Sequence, residues 1–581
     1  MKRRSALAIL AASAAAPVVL TSCTDSAQEE VQEIDAFRQS WDEEITIDVF
    51  AVLANYMGMQ EGWFAKLVKD KFNMRLNIIA PNVAGGGDTL FNTRVSAGDL
   101  GDLVVTTKGT QMRELVDGGL VLDVTPYYPA MENLGRYDAA VQHLGEEYGG
   151  LYALPTQVSS IKPWEPSEGV DPTFGTYLRW DFFAEQGYPQ IGTLEDLLPV
   201  LARMQAAHPT TDDGRPVYAL SLFKDWDGNM MVMAKQPACL YGYDEMGFVL
   251  AKADGSDYQS ILDPDSQYVR ALRFYYEANK LGLVDPESTT QNFDTVNAKY
   301  QNGQVLLSWW PWLAQAAFNT DANLDAGKGF MLTPVDDQVV YSYGAEAYGA
   351  TQVFAVGSQA EDPERIAAFL DWLYSAEGAY SGANQTAGAS GPRGLTWELD
   401  PAGAPVPTAV GEQVYLEGDA DVPADWGGGK YTAGASALNT TSVLPADIDP
   451  ATNLPYSYKS WPSYQALTGN PVQEDWTART GATTAMEYLR DSGQLLVGAG
   501  AGYASSGDDS LLETTRNQVK AVIVQMSWQM AFARDDAQFE SLLTEMRQTA
   551  EGLGYADVLE ADMADARAQS EAREAVVEAF R

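Results

Sequence analysis

Trp309, Trp310 and Trp312 stand within four residues of one another, with Pro311 between the last two. Neighbouring side chains on a strand point to opposite faces, so three indoles this close cannot share one core. Pro311 also prevents a regular continuation of the strand. An indole left outside a core offers a flat apolar face, which suits the C–H face of a sugar ring. The ring's hydroxyl rim would need planar polar partners: Asp, Glu, Asn, Gln or Arg. With 14 Trp and 29 Tyr, the chain holds more such faces than a core needs. Residues for catalysis or metal chemistry are scarce by comparison. His143 and His208 are the two histidines, and neither lies in a triad motif; with Cys23 and Cys239 they are too few for a Cys/His zinc site. The triplet Gly85-Gly86-Gly87 lacks the lysine of a phosphate-binding loop, and no cofactor is expected. Carboxylate pairs suit glycoside hydrolysis, but among 80 acids such pairs are abundant and uninformative. These residues favour binding over catalysis. A secreted glycan hydrolase or lyase, or a receptor for a peptide or cationic solute, are the alternatives.

The 37 Lys+Arg and 80 Asp+Glu leave a net charge of −43, which repels phosphate backbones and excludes a nucleic-acid partner. Length (581 residues) and apolar content (46%) suffice for two large lobes. Lys2, Arg3 and Arg4 precede an apolar run, Ser5 to Leu20, that is short for a membrane span and contains Pro17, so residues 1–22 read as a signal peptide. The end of that run, Leu20-Thr21-Ser22-Cys23, is similar to a bacterial lipobox. That likeness implies a lipid on the Cys23 sulfur and attachment to the outer face of the bacterial cell membrane. Cys239 is then left without a disulfide partner and reads as a small buried residue. Residues 23–43, polar and rich in Gln and Glu, form a tether.

The remaining chain reads as α/β. Ile45 to Phe50 alternates as a strand, a helix follows from about Gln60 to Lys71 with Trp63, Phe64, Leu67 and Val68 on one face, and Met74, Leu76 and Ile78 mark a second strand. Strand, helix, strand at this spacing is a βαβ unit with a parallel sheet. Gly85 to Asp88 is expected as a loop, Leu103 to Thr107 as a strand, and Thr110 to Val116 as a helix. A second α/β lobe begins near residue 160, with strands at Tyr177 to Trp180 and Val305 to Trp309 and helices over Leu197–Met204 and Gln267–Leu281. Pro363 opens another helix. Gly378 to Pro455, dense in Gly, Pro, Ala and Asn, has the character of a ligand-covering loop region, and Asp508 to Phe580 is mostly helical.

The order of these motifs resembles that of the family 1 extracellular solute-binding proteins, the sugar receptors of ABC importers. Ser96-Ala-Gly-Asp-Leu-Gly-Asp-Leu-Val-Val105 is similar to that family's SGDLPD-apolar signature, with Gly101 where proline is usual. Gly119 to Tyr127, Tyr152-Ala-Leu-Pro155, Leu178-Arg-Trp-Asp181 with Thr193-Leu-Glu-Asp196, Gly303 to Trp312 and Phe369-Leu-Asp-Trp-Leu-Tyr374 follow in the family's order. The closest likeness is to the lipoprotein branch that handles oligosaccharides. The acidic calcium loop of that branch is broken here, since Pro209 and Thr211 fall on two of its ligand positions, and no metal is expected.

The resemblance implies a two-lobed periplasmic-binding-protein-like (type II) fold, with residues 44–159 and 346–455 in an N-terminal lobe and 160–345 and 456–581 in a C-terminal lobe. It further implies an oligosaccharide ligand, permease subunits as partners, a monomer and no enzymatic activity. Residues that follow strands should face the cleft: Tyr56 and Met57, then Thr106, Thr107 and Lys108. Arg179 and Asp181 are candidates for ligand contact and, on an equal footing, for pairing with each other. Trp309, Trp310 and Trp312 form the aromatic platform, the family likeness favouring Trp310 and Trp312 for stacking, and Trp426 and Trp461 are candidates to close over the ligand. Few basic residues beyond Lys108 and Arg179 stand in these loops, so a neutral sugar is favoured over a uronate.

Overall fold

The computed structural model describes residues 34–581 apart from 82, 84–86, 383–388, 504 and 506. The signal peptide, Cys23 and most of the tether, with Gly85 and Gly86, therefore lie outside the described residues.

The first lobe is built on a six-stranded sheet in the order Gly58–Met59, Met74–Ile79, Ile45–Ala51, Leu103–Thr107, Gln352–Val356 and Leu154–Pro155. Ile45–Ala51 runs parallel to both Met74–Ile79 and Leu103–Thr107, as the βαβ reading requires. The intervening helix, Gly62–Phe72, buries Trp63, Phe64, Leu67 and Val68, the face expected from their spacing. Asp362 caps the helix Pro363–Leu373 by accepting from the Arg365 amide. Gly87 already opens a helix, Gly87–Ala97, within the stretch expected as a loop.

The second lobe has a small antiparallel sheet, Leu307–Ser308, Tyr177–Arg179 and Phe330–Leu332, buried among helices. Only Leu307–Ser308 of the expected Val305–Trp309 strand joins this sheet; Val305 instead bridges Tyr218 in parallel. The C-terminal helices Ser510–Ala531, Asp536–Gly552 and Tyr555–Phe580 pack against this lobe, and Gly554, at φ +99°, makes the last turn between them.

Residues 389–464 do not form a covering loop. Trp397, Tyr415, Tyr431, Leu438, Tyr456 and Trp461 are buried in the core of the first lobe. The chain returns to the second-lobe core only with Val472 and Trp476, so residues 456–464 pack with the first lobe rather than the second.

Strand register fixes how the lobes face one another. Pro155, where the chain leaves the first lobe, and Gln352, where it returns, both lie level with the carboxyl end of Leu103–Thr107. Tyr177, where it enters the second lobe, and Leu332, where it leaves, lie level with Ser308, the carboxyl end of its strand. The carboxyl end of Leu103–Thr107 in the first sheet and those of Leu307–Ser308 and Phe330–Leu332 in the second thus lie at the crossings, and ligands of open α/β sheets bind at strand carboxyl ends.

Candidate functional site

On the first lobe the loop after Ile45–Ala51 carries Tyr56 and Met57, 46% and 52% exposed. The distant segment 434–439 holds this loop in place. The Gln60 side chain donates to the Ala435 carbonyl at 3.0 Å and accepts from the Ala437 amide at 2.7 Å, while Asn439 donates to the Leu53 carbonyl at 2.6 Å. The approach requires glycine at position 62: its φ is +74°, and a Cβ there would sit 2.3 Å from the Gly434 Cα.

On the second lobe, Trp226 and Trp312 are 44% and 40% exposed, with ring centroids 5.6 Å apart. Trp226 lies nearly parallel to Phe293 at 4.8 Å, and Trp310 stands behind Trp312 at 5.2 Å. Three local features hold this wall. Pro311 starts the helix Pro311–Phe318, placing Trp312 on its first turn. Asp225 accepts from the Phe293 amide at 2.8 Å. Asp227 accepts from the Val232 amide at 2.9 Å and the Trp528 indole at 2.7 Å. Residues 220, 284 and 305 bridge in parallel with partners in the same layer, so Trp226 and Trp312 both follow carboxyl ends.

Several expected site residues are placed elsewhere. Trp309 is 1% exposed and donates to the Tyr275 hydroxyl at 2.7 Å, because strand alternation turns it into the core. Trp310, largely buried, is the back of the wall rather than its face. Trp461 is fully buried against Tyr380, Trp397 and Tyr415 and donates to the Pro455 carbonyl at 2.9 Å, so it has no face left for a ligand. Trp426 lines a shallow cavity with Lys66, Asp70, Lys71 and Glu377. Lys66, Asp70 and Lys71 lie along the helix Gly62–Phe72, which runs back toward the amino end of the sheet, away from the crossings. Thr106 is buried and donates to Gln111 at 3.1 Å, while Thr107 is half-buried at the strand end. Arg179 and Asp181 form a bidentate pair at 2.9 and 2.6 Å, with the guanidinium between the Phe182 and Phe318 rings, which is structural.

Lys108 reaches the crossing instead of open space. Its ammonium donates to the Gly349 carbonyl at 3.1 Å and feels the Glu346 carboxylate. Burial pushes the Lys108 pKa down and that of Glu346 up, with the Gly502 amide donating to Glu346 at 2.5 Å. The Lys108–Gly349 hydrogen bond ties the first lobe to the passage between lobes.

Among the described residues no group of three or more His, Cys, Asp or Glu side chains could hold a metal. In the loop standing where the lipoprotein branch carries calcium, Lys328 pairs with Asp212 at 2.8 Å and Arg215 with Asp213 at 2.9 Å. Cys239 is buried, and burial raises its thiol pKa, so it is no nucleophile. Trp226 was not anticipated from the sequence. Its signal is an aromatic residue three positions after the mostly apolar run Leu220–Phe223, overshadowed by the acids on either side of it.

Residues 60–380 match the family of bacterial extracellular solute-binding proteins. Among solved structures, the human-milk-oligosaccharide-binding solute-binding protein of Bifidobacterium longum infantis superimposes with a TM-score of 0.52 at 14% identity, covering 90% of this chain and 99% of that one. The Streptococcus pneumoniae substrate-binding protein FusA, solved with kestose, gives 0.52 at 13% identity, again 90% and 99%. The S. pneumoniae N-glycan transport protein NgtS gives 0.50 at 12% identity, covering 92% and 99%. These likenesses show the two-lobed periplasmic-binding-protein-like fold. No curated protein matches the sequence.

Proposed function

The chain belongs to the bacterial extracellular solute-binding proteins, and on that premise we propose that it captures an oligosaccharide between its lobes and passes it to the permease of an ABC importer. The observation that carries this reading is the half-exposed pair Trp226 and Trp312 at the carboxyl end of one lobe, with Tyr56 and Met57 at the carboxyl end of the other. Exposed indoles lose contact with water when a sugar ring covers them and gain stacking energy, at little cost in reorganisation. Three structural neighbours whose names record glycan ligands support the ligand class. The rings that stack on this wall are neutral, since the cationic candidates Lys108 and Arg179 are both committed to internal partners.

The protein acts as a monomer held at the extracytoplasmic face by lipid on Cys23, and it does not cleave its ligand. A thermal-shift screen of neutral oligosaccharides tests the binding reading, because a ligand that binds only the folded state raises the melting temperature. Stabilisation by none of them, or the appearance of new reducing ends on long incubation, would reject it. Cys23→Ala is expected to leave the membrane fraction or remain unprocessed; unchanged lipid labelling would reject the anchor.

A further inference from the structure

A cavity of about 680 Å³ lies on the second lobe between the loop after Leu220–Phe223 and the helix Ser510–Ala531. The loop that carries Trp226 into the aromatic wall sends the next side chain, Asp227, into this cavity, so the two adjoin through one backbone segment. Ala521, Val524, Trp528 and Phe532 give the cavity an apolar lining, and polar side chains stand around it that the wall lacks. Gln525 and Gln529, one turn apart on the helix, are exposed into it, together with the ammonium groups of Lys224 and Lys520. Its carboxylate is already used: one Asp227 oxygen accepts from the Val232 amide, the other from the Trp528 indole. Trp528 is the closed floor, with the Lys224 ammonium 5.0 Å over its ring. Both ammonium groups favour the charged form of Asp227 from a distance, but neither lysine has a carboxylate within ion-pair distance among the described residues.

Two ammonium groups without a direct carboxylate contact and two amides lining one cavity are donors for a carboxylate and for ring hydroxyls. We infer that this cavity is a second subsite, receiving a carboxylate-bearing sugar unit, with Lys224 and Lys520 on the carboxylate and Gln525 and Gln529 on the hydroxyls. The inference rests on the reading of the protein as an oligosaccharide receptor and extends it: neutral rings stack on the wall, and an acidic unit of the same glycan sits beyond Trp226.

The test uses the full chain and three probes, glucuronate, glucose and inorganic sulfate, titrated by NMR at low and high salt. Glucuronate is expected to bind, with glucose and sulfate each at least about tenfold weaker, and its affinity should fall with ionic strength. Lys224→Gln with Lys520→Gln should abolish glucuronate binding, whereas Trp312→Ala should leave it unchanged. Lys520→Gln alone repeats the measurement if the double variant loses its fold. Failure of glucuronate to bind, indifference to the lysine replacements, or equal binding of sulfate would overturn the subsite. Binding of neutral oligosaccharides to the double lysine variant reports on the wall separately. If no neutral glycan binds while glucuronate still does, the receptor reading of the wall fails and the cavity result stands apart from it.

Discussion

Two aromatic regions of this molecule look alike in sequence and differ in what they do. In the first lobe, Tyr380, Trp397, Tyr415, Tyr456 and Trp461 pack ring on ring and are all buried. In the second lobe, Trp226, Phe293, Trp310 and Trp312 are just as close together, yet Trp226 and Trp312 keep about two-fifths of their surface in water. The first region closes a long excursion with little helix or strand, whose core must come from large side chains. The second stands at strand ends that face the other lobe. Aromatic density therefore marks a packed excursion in one place and a binding wall in the other, and only the free ring faces separate them.

Substitutions can break this contrast. The largest effect is expected at the sealed rings. Trp461→Ala and Trp309→Ala should each lower folding stability by about 3–5 kcal/mol in denaturant unfolding, because each leaves a cavity and removes a buried hydrogen bond. A loss of ligand affinity with unchanged stability would move them to the open class. At the open rings the pattern should invert. Trp312→Ala and Trp226→Ala should each weaken oligosaccharide binding by about 2 kcal/mol, roughly thirtyfold by calorimetry, with the apo melting temperature nearly unchanged. Trp310→Ala should lose both, since it backs Trp312 while being buried itself.

A smaller effect is expected at the seam between the lobes. The Asp171 carboxyl is pushed up to about 6 by burial, with the Lys459 ammonium of the sealed region opposing the shift. A carboxyl held above its unfolded value near 3.9 contributes stability that is present below about pH 4 and lost as the pH rises through about 6. Asp171→Asn should therefore be more stable than the parent at pH 7 by about 1–2 kcal/mol and equal to it near pH 4. Equal stability of the two at both pH values would show that the seam does not strain this group. The smallest effect is expected for Trp426→Ala, whose half-buried ring lies along the outer helix: oligosaccharide affinity should be unchanged and stability should fall by about 1 kcal/mol or less. A clear drop in affinity would return Trp426 to the site.

Local periodicity determined much of this protein. The face Trp63, Phe64, Leu67 and Val68, the alternation of Met74, Leu76 and Ile78, and the start at Pro363 each follow from spacing within a few residues, because helix and strand geometry repeat over that distance. The parallel βαβ unit and the placement of Tyr56 and Met57 at a strand end were legible for the same reason. Which aromatic rings stay open was not. Alternation says that Trp309 and Trp310 point to opposite sides, but the partners that bury one and leave Trp312 uncovered come from afar: Tyr275 beneath Trp309, Phe223 behind Trp310, and Trp226 beside Trp312. The same holds for Arg179, Lys108 and Trp461, whose polar atoms are taken by groups that only chain crossing and lobe packing bring within reach. The sequence determined the elements and the chemistry available at their ends; the tertiary structure decided which of those groups were used up inside, because burial is set by contacts between segments that no local spacing records.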